Sequence, residues 1–131
     1  MSTPAAALEP LHRSWAVLLT SYKRDGTPIG TPVNLAVDGD RAYFRSYNKA
    51  WKTKRIKNNP EVAIAPSTVR GRATGPALQA KARLLSGEED VHARAVIAKR
   101  HPVFQRFLIP FAHKMSRYET MHYEVTLTDQ S

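Results

Sequence analysis

The sequence predicts an α+β protein built on a six-stranded, mostly antiparallel β-barrel. Short runs rich in β-branched and aromatic residues recur along the chain with turn residues between them. One short helical piece separates the third and fourth runs, and a helical pair precedes the last, which sets the class as α+β. Six short strands hide their edges most simply by closing on themselves.

The elements follow in order. Residues 1–12 form a frayed or short helical lead-in, with a turn of helix expected after Thr3-Pro4. Ser14 to Tyr22 is nearly continuously apolar and reads as a buried strand. Asp25-Gly26 is a strong hairpin signal, and Thr27 to Val37 is the return strand. Pro28 and Pro32 lack the amide proton a ladder needs, so that strand lies at an edge or is interrupted. Asp38-Gly-Asp40 turns the chain into a third strand, Arg41 to Ser46. Trp51 to Asn58 suits a short helix that stops ahead of Pro60, because the residue before proline disfavours helical torsions. Glu61 to Pro66 is the fourth strand. Thr68 to Pro76 is a Gly/Pro-punctuated loop, and Ala77 to Leu85 the fifth strand.

Ser86-Gly-Glu-Glu89 has the form of a capping box, and Glu88, Glu89 and Asp90 suit the positive end of a helix running to about Arg100. Val91, Ala95, Val96 and Ala98 supply its apolar side. Val103 to Met115 is a second helical piece, broken at Pro110. Its Phe104, Phe107, Leu108, Ile109 and Phe111 form an apolar patch that serves as core, dimer contact or a lid over a groove. Tyr118 to Thr128 closes the chain as the sixth strand.

At 131 residues the chain makes one domain, long enough to bury roughly 68% of its unfolded surface. It has no cysteine, which excludes disulfides and thiolate chemistry and fits the cytoplasm. No apolar run approaches the ~18 residues that span a bilayer, and the start lacks the basic region of a secretory signal. The five histidines are scattered, so a catalytic metal site is not expected. The net charge of +9 favours anionic partners. That charge is concentrated: from Arg41 to Pro60 there are seven Lys or Arg and no acid.

A phosphate takes short N–H donors and fixed positive charge, and the open amides of a helix N-terminus supply the first. Lys49 and Lys52 lie in or just before such a turn. Ser46 and Thr53 add hydroxyls, and Arg55 adds a fork suited to bidentate contact. Lys52 and Arg55 share one face of the helix. Composition alone leaves two other readings open. One is a solvated lysine-rich face. The other is a nucleic-acid surface, with Tyr43, Phe44, Tyr47 and Trp51 as stacking groups but no recognisable nucleic-acid motif.

The run Lys52-Thr-Lys-Arg-Ile-Lys-Asn-Asn-Pro-Glu-Val-Ala-Ile64, preceded by Pro32 to Ser46 and followed by Arg70-Gly-Arg-Ala-Thr-Gly-Pro76, resembles the split β-barrel flavin and deazaflavin oxidoreductases. These are the relatives of pyridoxamine 5′-phosphate oxidase, and the closer likeness is to their coenzyme F-420-dependent branch. The resemblance covers about Trp15 to Arg83. It implies a homodimer with the cofactor in a groove between subunits. It implies hydride transfer from a reduced deazaflavin to a small-molecule acceptor, with FMN as the alternative cofactor. Position by position, Lys52 matches the phosphate-binding lysine, and Arg45 and Ser46 the strand-end phosphate contacts. Pro32, Val33 and Asn34 fall on the strand that lies against the isoalloxazine-like ring. Lys49, Thr53 and Arg55 join the set on charge, hydroxyl chemistry and helical geometry. Ala50-Trp51-Lys52 departs from the Ser-Arg-Lys of flavin-binding members, which removes two phosphate donors and favours the longer anionic deazaflavin tail. Tyr47, Tyr118, His113 and His122 are proton-donor candidates by residue type. A non-catalytic module that binds the cofactor or a polyanion is the remaining alternative.

Overall fold

A computed structural model describes residues 4–14, 16–47, 51–100 and 120–128, with the backbone alone described for Pro4, Ala5, Tyr47, Trp51 to Thr53 and Thr120. Two short helices, α1 (Pro4–Ala7) and α2 (Glu9–Arg13), lead into the sheet. They are docked rather than frayed, for Leu8 and Leu11 are buried in the main core. The strands are β1 (Ala16–Tyr22), β2 (Pro28–Val33), β3 (Leu35–Asp38), β4 (Arg41–Tyr47), β5 (Glu61–Ser67), β6 (Leu78–Leu84) and β7 (Thr120–Leu127). Helix α3 (Trp51–Asn58) joins β4 to β5, and α4 (Gly87–Arg100) follows β6. The expected second helical piece, Val103 to Met115, lies outside the described residues.

The described residues hold seven strands, where six were expected. The sheet order is β2-β1-β5-β6-β7-β4-β3, and every strand pair is antiparallel. The expected return strand Thr27 to Val37 is divided at Asn34. Up to Val33 it pairs with β1, with Pro32 opposite Leu18; from Leu35 it pairs with β4. The two edges of the sheet are therefore consecutive in sequence and meet at one residue. The sheet curls into a half-barrel closed by chain connectivity, with Asn34 at the corner. Both prolines sit on β2, which pairs on one side only, where a missing N–H leaves no ladder position empty.

Alternation fills the interior. Val17 and Leu19 of β1, Ala42 and Phe44 of β4, Val62 and Ile64 of β5, Ala80 and Ala82 of β6 and Tyr123 and Val125 of β7 make the main core. Phe44 and Tyr123, cross-strand partners, stack with centroids 5.0 Å apart and planes 9° from parallel. Ile56 of α3 adds to this core.

The opposite face of β3–β4 is covered by α4, where Ala36, Tyr43, Leu85, Ala93 and Ile97 form a second cluster. The helix is rotated from the expected orientation. Ala93 and Ile97 are buried, Val96 packs at the margin, and Val91 is 64% exposed. Polar anchors set this rotation: His122 of β7 holds Asp90, and His92 packs edge-on to Tyr43 and contacts Asp38. The capping box does not form. Glu89 turns both carboxylate oxygens to Arg83, at 2.6 and 3.3 Å.

Candidate functional site

The barrel's closing corner gathers most of the residues expected to hold a cofactor. In the β3–β4 ladder Leu35 pairs with Phe44. Asn34 precedes Leu35 and Arg45 follows Phe44, where the chain has left β1's edge for β4's, while Val33 itself pairs with Val17 of β1. Pro32, Val33 and Asn34 thus precede the last β3–β4 pair by no more than three residues, and Arg45 and Ser46 follow that pair on β4. Their side chains divide between two faces. Ser46 shares the interior face with Phe44 and is buried, while Arg45 lies on the α4 face opposite His122.

Helix α3 starts four residues after β4 ends, so the backbone of Lys52 and Thr53, in its first turn, follows directly from this corner. No acid occurs in that turn, which leaves the open amides and helix dipole available to a negative group. Lys49 lies outside the described residues. Arg55 is held firmly: its Nε donates to the buried Ser21 hydroxyl at 2.7 Å. Ser21 pairs with Ile29 and Val17 with Val33, so this anchor stands four residues, roughly 13 Å, along β1 from the corner. An extended molecule with a ring at one end and phosphate at the other spans such a distance; a compact anion does not.

Two arginines belong beside this set. Residues Thr68 to Thr74 form a tight loop in which Arg72 N–H donates to Thr68 Oγ1 and Thr74 N–H to the Pro66 carbonyl. Its apex brings Gly71 against the corner. A Cβ there would lie 3.5 Å from Pro32 Cδ, an ordinary contact, and Gly71 has φ +91°, so the torsion favours glycine. Arg70 and Arg72, both exposed, flank Gly71 in this loop. The Arg-Gly-Arg run was a visible sequence signal, and the loop brings its glycine backbone close to Pro32.

Behind Arg45 lies a buried polar pair. His122 is 1% exposed, and its Nδ1 is 2.8 Å from Asp90 Oδ1. Its Nε2 is buried with no hydrogen-bond partner among the described residues. Burial pushes the imidazole below its usual range; Asp90 opposes that shift, and Arg45 and Arg94 reinforce it. His122 is therefore neutral near pH 7, shut away from solvent. Tyr118 and His113 lie outside the described residues, as does the Tyr47 side chain.

A cavity of about 460 Å³ between α4 and the β3–β4 turn is lined by Asp38, Asp40, Glu88, Glu89 and Glu124, with Arg41, Tyr43 and His92. Several of its carboxylates have partners: Glu124 pairs with Arg41 and Arg83, Glu89 with Arg83, and Asp38 Oδ2 lies 2.8 Å from His92 Nε2. Its acidic lining is the wrong sign for a phosphate. Among the described residues no three His, Asp or Glu gather as metal ligands, and no helix is long and apolar enough to cross a membrane. The donor set at the corner, with cations, hydroxyls and amides and no acid in the α3 turn, fits a phosphate-bearing cofactor.

Comparison with known proteins agrees with this geometry at the level of the fold. A heme storage protein from Vibrio cholerae superposes with a TM-score of 0.68 at 13% identity, covering 99% of this chain and 93% of that one. A FAD-binding protein from Mesorhizobium loti gives 0.63 at 14% identity, covering 94% and 86%. A conserved hypothetical protein from Mycobacterium tuberculosis gives 0.66 at 16%, covering 98% and 82%. A search of curated proteins finds no match. The family model described as pyridoxamine 5′-phosphate oxidase matches residues 3–122. The half-barrel, its corner and this match over nearly the whole chain agree: the protein belongs to the pyridoxamine 5′-phosphate oxidase family.

Proposed function

We propose that this protein is an oxidoreductase that binds a deazaflavin, coenzyme F-420, in a groove between two copies of the chain and reduces a small-molecule acceptor in the cytoplasm. The observation that carries the reading is the closing corner. There the chain passes from β2 to β3 at Asn34, Leu35 pairs with Phe44 near the end of β4, the Gly71 loop approaches Pro32, and the helix that follows β4 has no acid in its first turn. Lys52, Thr53 and the first-turn amides of α3 would hold the phosphate, with Arg55 and, from outside the described residues, Lys49 contributing charge. Arg45 and Ser46 would complete the strand-end contacts, and Pro32, Val33 and Asn34 would support the ring. When bound, such a cofactor supplies two-electron hydride chemistry. The chain's own part is to grip the anionic tail, orient the ring against β2 and exclude water.

The spread of cations beyond a single phosphate pocket favours the deazaflavin, whose tail carries several negative charges, over FMN. Family membership and the likeness to a FAD-binding protein support a flavin-type cofactor more generally. The test is a fluorescence titration with oxidised coenzyme F-420 beside an FMN titration at the same salt. Saturable binding of F-420, tighter than FMN, supports the reading. FMN preference assigns the protein to flavin chemistry, and binding of neither removes the cofactor proposal. Light scattering across the same concentrations tests the dimer.

A further inference from the structure

We propose a second binding site in this chain, a cavity at the C-terminal side of α3 that takes a small amphiphilic anion, an aliphatic or aromatic carboxylate. Helix α3 divides its cations between two flanks. Ile56 points into the barrel and is buried. Arg55 turns to β1, where Ser21 holds it. Lys54 and Lys57, three residues apart and so on one face, turn the other way, toward β6 and β7. There they line a cavity of about 420 Å³ together with Ile56, Ala82, Leu84, Met121 and Tyr123.

The walls have distinct origins. Ala82 and Leu84 are alternate residues of β6, and Met121 and Tyr123 alternate residues of β7, with Leu84 directly opposite Tyr123. All four belong to the barrel's interior face, where Ala82 and Tyr123 are already core. Leu84 is the member of this row left 50% exposed. Among the described residues, the sheet thus offers a patch of interior-type surface that α3 covers in part, through Ile56. The rim carries two ammonium groups, the lining contains no acid, and among the described residues no carboxylate pairs with Lys57. The volume lies within the usual range for small-ligand cavities.

An apolar floor with a cationic rim selects its ligand by both properties. A hydrocarbon or flat aromatic body displaces water from Leu84, Met121 and Tyr123, and a carboxylate or sulfonate meets the lysines. The acidic cavity beside α4 has the opposite lining and would reject the same molecule. The site is separate from the Arg55 flank and does not depend on the cofactor reading.

The experiment uses the full chain and the fluorescent sulfonate 8-anilinonaphthalene-1-sulfonate. Saturable binding of one probe per chain is expected, displaced by decanoate and at least threefold less well by decanol. Near-UV circular dichroism, unchanged by the probe, separates binding to the folded protein from binding to a loosened one. Lys54→Gln and Lys57→Gln should each weaken the probe about threefold, the scale of an exposed ion pair. Leu84→Glu places a carboxylate on the wall at an exposed position that tolerates polarity, and should abolish binding while the far-UV spectrum is retained. Equal displacement by decanol and decanoate, unchanged affinity in these variants, or absence of saturable binding overturns the proposal. Competition by coenzyme F-420 or FMN would merge this cavity with the cofactor groove and overturn it as a second site.

Discussion

The contact between Arg55 and Ser21 offers a sharp perturbation because it ties α3 to β1 by a side-chain hydrogen bond that can be removed from either end. Arg55 Nε donates to Ser21 Oγ at 2.7 Å, with Ser21 1% exposed and Arg55 half-buried. Ser21→Ala deletes the acceptor while changing little volume. A hydrogen bond to a charged group is worth about 1.5–3 kcal/mol. Water reaches a half-buried guanidinium and replaces part of it, so the expected loss in folding stability is about 1–1.5 kcal/mol. With a urea slope of roughly 1–3 kcal/mol per molar, the midpoint should fall by about 0.5 M. Arg55→Gln should cost a similar amount, and the double variant little more than either, giving a coupling energy of about 1 kcal/mol.

The same variants separate anchoring from ligand contact. Released from Ser21, the guanidinium loses its fixed aim. FMN affinity should therefore drop about threefold to tenfold in Ser21→Ala, while riboflavin, which lacks the phosphate, is unaffected. The assay is a set of urea titrations for the four proteins and a pair of ligand titrations for two of them. A coupling energy near zero would refute the anchoring argument. Equal losses for FMN and riboflavin would refute the assignment of Arg55 to the phosphate.

Lys52→Ala should weaken coenzyme F-420 binding by ~1.5–3 kcal/mol, the scale of a charged hydrogen bond; unchanged affinity in a fluorescence titration removes Lys52 from the site. His122 should make stability fall with acidity. Its folded pKa lies below the unfolded value of about 6.5, so the stability is complete above that value. It is lost as the pH falls and the unfolded chain takes up the proton first, by at most ~1.4 kcal/mol per pH unit. His122→Phe should flatten this slope between pH 7.5 and 5 in urea titrations, and a slope equal to the wild type's would contradict it. Gly75→Ala should cost about 1–3 kcal/mol by thermal unfolding, because a Cβ there would lie 2.8 Å from the rigid Pro66 ring; a neutral effect would show that the loop yields.

Local pattern carried most of the fold. The β1 run, the Asp25-Gly26 turn, α3 with its stop before Pro60, and β5 to β7 all stand within a few residues of where periodicity and turn chemistry set them. The prolines of Thr27 to Val37 allowed for an edge or an interruption, but the place of the break, Asn34, was not legible, because it arises where the two halves take different partners. The buried face of α4 was misjudged for a related reason. Val91 is more apolar than Ala93, yet the pairing of Asp90 with His122 decides which side meets the sheet. At the candidate site, the helix-borne cations were plain in the sequence. The approach of Gly71 to Pro32 and Leu18 depends on how the loop after β5 closes, which no spacing reveals. The division of α3's cations between two flanks likewise depends on what lies beneath the helix.

The position of β7 in the sheet has a consequence for how the chain is made. It is the last of the described strands in sequence, yet it lies between β6 and β4 and pairs with both. Until it is in place the sheet exists as two fragments, β2-β1-β5-β6 and β4-β3, linked through Asn34 and through the chain around α3. During synthesis, each fragment presents a bare interior edge, β6 on one and β4 on the other, the kind of surface that captures neighbouring chains. The final strand acts as a closing stave: its arrival seals two edges at once and brings Tyr123 onto Phe44. A chain cut short before Thr120 would leave both edges open, so premature termination yields an aggregation-prone product rather than a smaller working domain.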